Sequence, residues 1–397
     1  MSFDRPQSRG KTDVSSVPDA FAVERQKSEE LSAVDGNVRR RDAPTVAFTM
    51  CHPAQVHLFR NAIRKLAGEG FRVYVFVREK EILADLLDAY EIPYNVLLAK
   101  DAPNLNFDGP QLLEVGLVQL LFEYRLLRAA RKIDPDLFVA EVGVAGTHVA
   151  KATGAKSLVF AVSEHANLQN RLAFPFADRI CTPTCYWDDL GVKQSRYPGY
   201  HQLAYLHPDR FEPDPSVLEV EGIDPDEKFV ILRTVGWNSA HDVGSSGFDG
   251  LREVIAELER TGTRVLVTAE EPLPTDLASY ELSIPPEDIY HLMHYANCFV
   301  GESATMATES AVLGTPAIYV STLEVGYTQE LEAEYGLVFN FAGPNRQRRG
   351  LAKATEILSG TLDADWAARR RRLLEDKRDT TDVIVEQVRE MVGRTGR

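Results

Sequence analysis

The segment GESATMATES, residues 301–310, combines hydroxyl and carboxyl side chains between the apolar stretch CFV and the sequence AVLGTP. A strand that turns into a helix here would present free N–H groups, which bind phosphate, at the helix N-terminus. Ser303 and Thr305 would then contact a diphosphate, although both could also serve only as helix caps. Glu309 lies one turn further on the same helical face and could accept both hydroxyls of a ribose. Glu302 and Thr308 complete this predicted nucleotide-binding set.

A second polar segment, SEHANLQNR at 163–171, follows the apolar stretch SLVFAV. Glu164 and His165 leave the predicted strand side by side, and further polar residues, including Asn170 and Arg171, come directly after them. Six polar side chains at one strand end are more than a turn requires, so this segment predicts a functional site.

Two further junctions carry unusual polarity. The first, CHPAQVHLF, contains His52, Gln55 and His57, and it is either a capping turn or a loop that faces a ligand. The second, GWNSAHDVGSSGF, is long and rich in glycine and serine. It is a predicted substrate or phosphate loop, with a bare surface loop as the alternative, and its candidate residues are Trp237, Asn238, His241 and Asp242.

The elements that would position these segments alternate between β-rich and helical patterns from Thr45 onward, which predicts an α/β fold with mostly parallel sheets. A polar, proline-rich stretch near 197–226 interrupts this alternation, and a second series starts at FVILRTV. We therefore predict two doubly wound Rossmann-like domains with an interdomain cleft. The predicted divisions are a disordered leader at 1–43, an N-terminal domain at 44–206, a C-terminal domain at 207–345 and C-terminal helices at 346–397.

Composition excludes several classes of protein. The formal net charge of -15 argues against a nucleic-acid partner, and no apolar run approaches the roughly 20 residues that span a bilayer. With four cysteines and no recognisable secretory signal, a cytoplasmic location is expected. Cys181 and Cys185 lack a second ligand pair at zinc-site spacing, so no metal is expected. No dinucleotide, P-loop or GxSxG motif occurs, and we predict no cofactor beyond a nucleotide sugar as substrate.

Five segments together resemble domain-of-unknown-function family 354, a largely archaeal group, over about 45–341. They are HPAQVHLFRNAIRKL, SEHANLQNRLAFPFADRICTP, YPGYHQLAYLHPDRF, RTVGWNSAHDVG and GESATMATESAVLGTP. That family is in turn similar to GT-B fold proteins, above all the non-hydrolysing UDP-N-acetylglucosamine 2-epimerases and the MurG-like glycosyltransferases. The resemblance therefore implies a GT-B-like architecture that holds a nucleotide sugar between its domains.

The epimerase motif of a serine, two glycines, a later glutamate and Gly-x-Pro is matched in part. Here Ser303, Glu309, Gly314 and Pro316 stand in that order, but the glycine pair is replaced by Ala304-Thr305. The resemblance implies that Glu309 holds the ribose and that Ser303, with neighbouring N–H groups, holds the diphosphate.

The resemblance also places Glu164 where the epimerases have a catalytic glutamate, and His241 in a loop comparable to the one with their histidine. The epimerase His-Gly-Asp sequence is missing, with AEVGVAGTH in its place, and Glu141 comes earlier in the chain. The first hypothesis is therefore inverting glycosyl transfer to an unknown acceptor, which needs a single general base.

In that hypothesis Glu164 is the base, supported by His165 or His57, and Arg171 or His241 lies near the leaving phosphate. An epimerase is the second hypothesis, and a non-catalytic nucleotide-sugar binding protein is the third. A homodimer is possible.

Overall fold

The computed structural model describes residues 31–34, 43–80, 82–99, 111–224, 226–234, 248, 250–269 and 272–393. Its N-terminal sheet has eight strands in these ranges, in the order β1-β3-β2-β5-β6-β7-β8, with β4 also paired to β3. The strands are β1 (Ala33–Val34), β2 (Thr45–Met50), β3 (Arg72–Arg78), β4 (Asn95–Leu98), β5 (Leu137–Glu141), β6 (Lys156–Phe160), β7 (Arg179–Pro183) and β8 (Gln194–Tyr197). All pairings are parallel except that of β1 with β3.

The centre of this sheet is apolar on both faces, since every residue of β2 is buried. Such strands need helices on each side, as expected for a parallel sheet. The helices that accompany it are α1 (Pro53–Gly68), α2 (Leu83–Ala89), α3 (Gln111–Ile133), α4 (Val144–Thr153), α5 (Asn167–Ala173) and α6 (Leu203–Leu206). Strand β1 lies inside the predicted leader, where it pairs with the outer edge of β3; residues 1–30 and 35–42 of that leader lie outside the described ranges.

The C-terminal sheet contains five parallel strands in the described ranges, in the order β10-β9-β11-β12-β13. They are β9 (Phe229–Thr234), β10 (Arg264–Ala269), β11 (Cys298–Gly301), β12 (Ala317–Val320) and β13 (Val338–Phe341). The helices of this half are α7 (Ser216–Val220), α8 (Leu251–Glu259), α9 (Ile289–Tyr295), α10 (Ala304–Leu313), α11 (Gly326–Glu330), a π-helical turn (Leu331–Tyr335), α12 (Arg346–Leu358) and α13 (Trp366–Asp376). Both sheets have the doubly wound order that the sequence predicts.

The last helix, α14 (Thr380–Gly393), leaves the C-terminal half and packs against α1, α6 and β6 of the N-terminal half. Lys65 of α1 bonds Asp382 at 2.7 Å, and Arg179 of β7 bonds Glu390 at 2.6 Å. The chain therefore passes between the halves twice, once after β8 and once before α14. The domain boundaries at 206/207 and 345/346 stay predictions.

An aromatic cluster, formed by His57, Tyr205 and Tyr290, joins the two halves. The His57 ring of α1 lies 5.3 Å from the ring of Tyr205 and 5.2 Å from that of Tyr290, measured between centroids. Because Tyr290 belongs to α9 and His57 to α1, this buried contact holds the C-terminal sheet layer against the N-terminal one.

Candidate functional site

The strand order of each sheet creates one crevice where successive connections leave in opposite directions. In the N-terminal sheet this switch point lies between β2 and β5, and in the C-terminal sheet it lies between β9 and β11. Ligands of open parallel sheets bind outside the carboxyl ends of strands at such points. The side chains at these two crevices are therefore the first candidates for a functional site.

His52 and Gln55 follow β2 and form a capping box at the start of α1. The Nδ1 atom of His52 accepts a hydrogen bond from the Ala54 N–H at 3.2 Å, and Oε1 of Gln55 accepts from the N–H groups of Cys51 and His52 at 2.6 and 3.2 Å. These bonds satisfy N–H groups that a helix leaves unpaired at its N-terminus. The capping interpretation thus accounts for both residues, and their role in ligand binding stays a prediction.

Glu141 ends β5 at the same crevice and pairs with a histidine that the sequence analysis did not select. Its Oε1 lies 3.5 Å from Nδ1 of His201, whose side chain is only 8% exposed. Burial by itself would raise the pKa of Glu141, but the hydrogen bond and charge of His201, together with His52 and Gln55, hold that pKa below its ordinary value. Glu141 is therefore a carboxylate at the N-terminal switch point.

Glu164 follows β6, the strand next to β5, and it is 8% exposed. Its Oε1 accepts a hydrogen bond from the Trp187 N–H at 3.3 Å, while Oε2 is buried without a partner in the described part of the chain. Burial raises the pKa of Glu164, and the backbone N–H groups of Trp187 and Gly326 oppose that rise. A carboxyl with a raised pKa and an unused oxygen is suited to exchange a proton with a ligand.

The C-terminal half reaches this carboxylate through the start of α11. A Cβ atom built on Gly326 would lie 2.8 Å from Oε1 of Glu164 and 2.3 Å from the carbonyl oxygen of Cys185, so only glycine permits this approach. Tyr327, the next residue, interacts electrostatically with both Glu141 and Glu164 and is 6% exposed. The two carboxylates and Tyr327 therefore meet between the halves of the molecule.

Glu309 lies in different surroundings, among the aromatic cluster. Its Oε1 accepts hydrogen bonds from the hydroxyls of Tyr205 and Tyr290 at 2.6 and 3.2 Å. Burial raises the pKa of Glu309 to about 7, and burial also lowers the pKa of the nearby His57 to about 3. The structure thus brings Glu309 together with His57, whereas Glu164 contacts Trp187 and Gly326 instead.

The remaining residues of GESATMATES build the start of α10 at the C-terminal switch point. Ser303 caps the helix by accepting from the Met306 N–H at 3.3 Å, and the buried Thr308 hydroxyl donates to the Ala304 carbonyl at 2.9 Å. Glu302 is buried and accepts from the Phe248 N–H, while Thr305 is half-buried in the first turn. In the part of the chain that the structure describes, each polar side chain of this segment except that of Thr305 thus has a hydrogen-bond partner.

The predicted site residues after Glu164 differ in burial and in their contacts. His165 is half-buried, Arg171 is exposed, and Asn170 is buried with its Nδ2 donating to the Ser163 carbonyl at 3.1 Å. This hydrogen bond stabilises the loop that contains Glu164. Trp237, Asn238, His241 and Asp242 lie outside the described residues, so their predicted roles stay predictions.

A cavity of about 440 Å³ opens at the carboxyl ends of β12 and β13, beside α11. Its wall includes Ser321, Glu324, Asn340 and Arg349. Strand β12 is the direct neighbour of β11, which leads into α10, so this cavity begins one strand away, about 4.8 Å, from the strand that precedes the α10 N-terminus. Its volume falls in the range of small-molecule sites.

Sequence reasoning missed His201, Tyr197 and Tyr327. The first two stand in YPGYHQLAYLHPDRF, a segment that carried the family resemblance, but neither follows a strand and helix pattern that would place it at the crevice. Tyr327 stands in the five-residue helix α11, whose sequence GYTQE shows neither a strand pattern nor an apolar helical face. Within the described ranges, no three His, Cys, Asp or Glu side chains are grouped as metal ligands would be, and none of the helices there is long and apolar enough to cross a membrane.

Solved structures with the same architecture come from two kinds of protein. UDP-GlcNAc 2-epimerase from Neisseria meningitidis, bound to UDP-GlcNAc, is 13% identical with a TM-score of 0.60, covering 87% of this chain and 100% of that one. The spinosyn forosaminyltransferase SpnP is 16% identical with a TM-score of 0.57, covering 89% and 100%. At these identities the likeness shows the fold alone, and it confirms the predicted GT-B-like architecture of two Rossmann-like domains.

Sequence comparison gives a more specific result. An uncharacterised protein of Methanocaldococcus jannaschii is 23% identical over 290 residues, which cover 66% of this chain and 77% of that protein. The family described as Protein of unknown function (DUF354) matches residues 46–392. The chain belongs to this family, as the five sequence segments had indicated.

Proposed function

We propose that this protein is a glycosyltransferase that binds a sugar nucleotide between its two domains. The observation that carries the proposal is the position of Glu164, a buried carboxyl whose Oε2 has no partner among the described residues and whose Oε1 faces Gly326 of the other half. A group with these properties lies between the two halves, one strand from the N-terminal crevice, and is suited to act on a ligand that spans both halves.

In the proposed reaction, Glu164 accepts the proton of a hydroxyl group on the acceptor molecule. The oxygen of that hydroxyl group bonds to the anomeric carbon of the sugar. The bond from that carbon to the diphosphate breaks, and the nucleoside diphosphate leaves with the electron pair. The raised pKa of Glu164 makes it a better base toward a hydroxyl than an ordinary carboxylate, because proton transfer is most effective when the pKa of the base is near the working pH.

The nucleotide half of the ligand is assigned to the C-terminal domain. The first turn of α10 offers backbone N–H groups and the half-buried Thr305 beside the crevice between β9 and β11, a setting that stabilises the charge of a departing diphosphate. Glu309 as the ribose ligand is part of the proposal, and a ribose would have to share that carboxyl with Tyr205 and Tyr290.

An epimerase is the second candidate, and the position of Glu141 favours it. Removal and return of a proton at carbon needs two acid/base groups, and the absence of the His-Gly-Asp sequence had argued against a second one. Glu141 nevertheless stands at the end of β5, beside β6 and Glu164, and both carboxylates interact with Tyr327.

A ligand screen followed by an activity assay tests the proposal. We expect one class among UDP-, GDP-, dTDP- and CMP-sugars to raise the melting temperature by about 5 °C at a hundred times its Kd. A panel in which no sugar nucleotide shifts the melting temperature would refute the proposed function.

The sugar nucleotide that binds is then incubated with and without a mixture of acceptor sugars and lipids. A transferase releases nucleoside diphosphate only with an acceptor, whereas an epimerase forms the C2 epimer of the sugar alone. Binding with neither product would instead indicate a non-catalytic binding protein. Glu164→Gln should keep binding and reduce turnover at least about 100-fold, while the exposed Glu257→Gln should leave both unchanged.

A further inference from the structure

Three buried polar atoms without partners belong to residues that follow β6 or pack against Phe160, the last residue of β6. They are Oε2 of Glu164, the hydroxyl of Tyr197 and Nε2 of His201, on side chains of residues that are 8%, 4% and 6% exposed. None of the three has a hydrogen-bond partner in the described part of the chain. We refer to Glu141, Glu164, Tyr197 and His201 as the carboxylate–imidazole cluster.

The contacts of Phe160 bring these four residues together. Phe160 lies opposite Glu141 in the β5–β6 register and four positions before Glu164. Its ring is 6.3 Å from the ring of Tyr197 and 6.5 Å from that of His201, measured between centroids. Tyr197 also interacts electrostatically with Glu141. The cluster therefore surrounds one place, at the carboxyl ends of β5 and β6.

A buried polar atom without a partner costs about 1–3 kcal/mol, so three such atoms in one place are uncommon in a site with only a structural role. A bound molecule that completes their hydrogen bonds removes that cost. The position beside Gly326 and Tyr327 means that the molecule would be enclosed by both halves of the protein.

The chemistry of the free atoms selects the kind of ligand. His201 meets Glu141 through Nδ1, so its Nε2 is left to hydrogen-bond a ligand hydroxyl, as an acceptor when the imidazole is neutral and as a donor when it is protonated. Oε2 of Glu164 is also an acceptor when ionised, and the Tyr197 hydroxyl can act either way. Two carboxylates in the same place repel phosphate, so the cluster favours a neutral group with several hydroxyl donors.

We infer that the carboxylate–imidazole cluster binds the hydroxyl groups of the sugar ring of the bound sugar nucleotide, with His201 Nε2 hydrogen-bonding one of them directly. This inference rests on the proposed function and goes beyond it, because it assigns the sugar to the N-terminal half and excludes the diphosphate from this place. Glu141 is a positioning residue that acts through His201.

Substitution of His201 tests the assignment by comparing two ligands. In His201→Phe the ring volume is kept beside Phe160 and the hydrogen-bonding nitrogen is lost, whereas His201→Gln keeps a side chain able to hydrogen-bond. We expect His201→Phe to raise the Kd for UDP-N-acetylglucosamine, or for whichever sugar nucleotide the screen selects, by at least about tenfold, as measured by calorimetry. The affinity for the matching free nucleotide, UDP in the first case, should stay within about twofold, and His201→Gln should recover part of the loss.

His207 provides a matched control, since its Nδ1 also lies 3.5 Å from a carboxylate, that of Asp209, but Asp209 is 77% exposed. His207→Phe should bind both ligands as the wild type does. If His201→Phe does not fold, the ring nitrogens of His201 in the wild type are followed by NMR. The Nε2 resonance should move with the sugar nucleotide and stay in place with the free nucleotide.

Three results would overturn the inference. His201→Phe could bind the sugar nucleotide as well as the wild type does, it could lose both ligands equally, or the Nε2 resonance could respond equally to both. Failure of the wild type to bind any sugar nucleotide is a different result, since it removes the proposed function and the inference together.

Discussion

Glu309→Gln should remove one pH-dependent contribution to the stability of this protein. The carboxyl of Glu309 is 4% exposed and accepts two phenolic hydrogen bonds, and burial raises its pKa from 4.5 to about 7. Between these two values the unfolded chain releases the proton of Glu309 while the folded protein retains it. The contribution of Glu309 to the stability of the wild type therefore falls as pH rises from about 4.5 to about 7.

The size of this effect follows from the shift in pKa. A difference of 2.5 between the folded and unfolded pKa values means that the Glu309 contribution to the unfolding free energy is about 3 kcal/mol smaller above pH 7 than below pH 4.5. Glutamine keeps a carbonyl oxygen that accepts from Tyr205 and Tyr290 but has no proton to release. Burial lowers the pKa of His57 from 6.5 to about 3, so His57 adds a dependence of the opposite sign between these two values and offsets much of the Glu309 contribution in the wild type. Because His57 is present in both proteins, its contribution cancels in their difference.

Urea unfolding at pH 5, 6, 7 and 8 measures that difference. The unfolding free energy of Glu309→Gln minus that of the wild type should increase by about 2.5 kcal/mol from pH 5 to pH 8, because a smaller part of the change already occurs below pH 5. The exposed Glu257→Gln serves as the control and should show a constant difference. A difference for Glu309→Gln that does not change with pH would contradict the view that this carboxyl is held in a buried, proton-retaining state.

Three further substitutions test the contacts between elements. Gly326→Val should separate α11 from the 185–187 turn, because the valine Cβ would lie 2.3 Å from the Cys185 carbonyl oxygen. Small-angle X-ray scattering should then show a larger radius of gyration, and an unchanged radius would refute the contact. Ser303→Ala should cost about 1 kcal/mol in urea unfolding through the lost cap, and no loss would show that the cap is dispensable. Asp379→Ala should lower the unfolding free energy by about 2–3 kcal/mol, because it removes the 2.7 Å hydrogen bond from Arg210 and the hydrogen bond from the Thr381 N–H at the start of α14. A loss within about 0.5 kcal/mol, the effect of an ordinary surface substitution, would contradict a stabilising role for Asp379.

Local sequence was enough to predict the architecture. Buried strands of β-rich residues, helices with a spaced apolar face and polar junctions between them are properties of neighbouring residues, and they give the same α/β alternation in the structure. The capping interpretations of His52 and Ser303 could also be made from the sequence, because a cap bonds to an N–H two or three residues away.

Which residues form the candidate site depends on contacts between residues that are distant in the sequence. Glu164 was selected because it follows a strand directly, and the structure gives it a buried, partly unpartnered carboxyl. His201 reaches Glu141 from sixty positions away, and Gly326 reaches Glu164 from the other half of the molecule. No local pattern marks such residues, since their neighbours in sequence bury different surfaces.

The sequence by itself determined that this chain forms two doubly wound sheets with polar strand ends, because hydrophobic periodicity and turn chemistry act over a few residues. Only the tertiary structure decided that Glu309 lies among tyrosines with His57, whereas Glu164 lies with Trp187 and Gly326. The physical reason is that a carboxyl group takes its pKa and its free hydrogen-bonding atoms from what packs around it. That packing is set by the return of α14 and the approach of α11, which no short segment of sequence encodes.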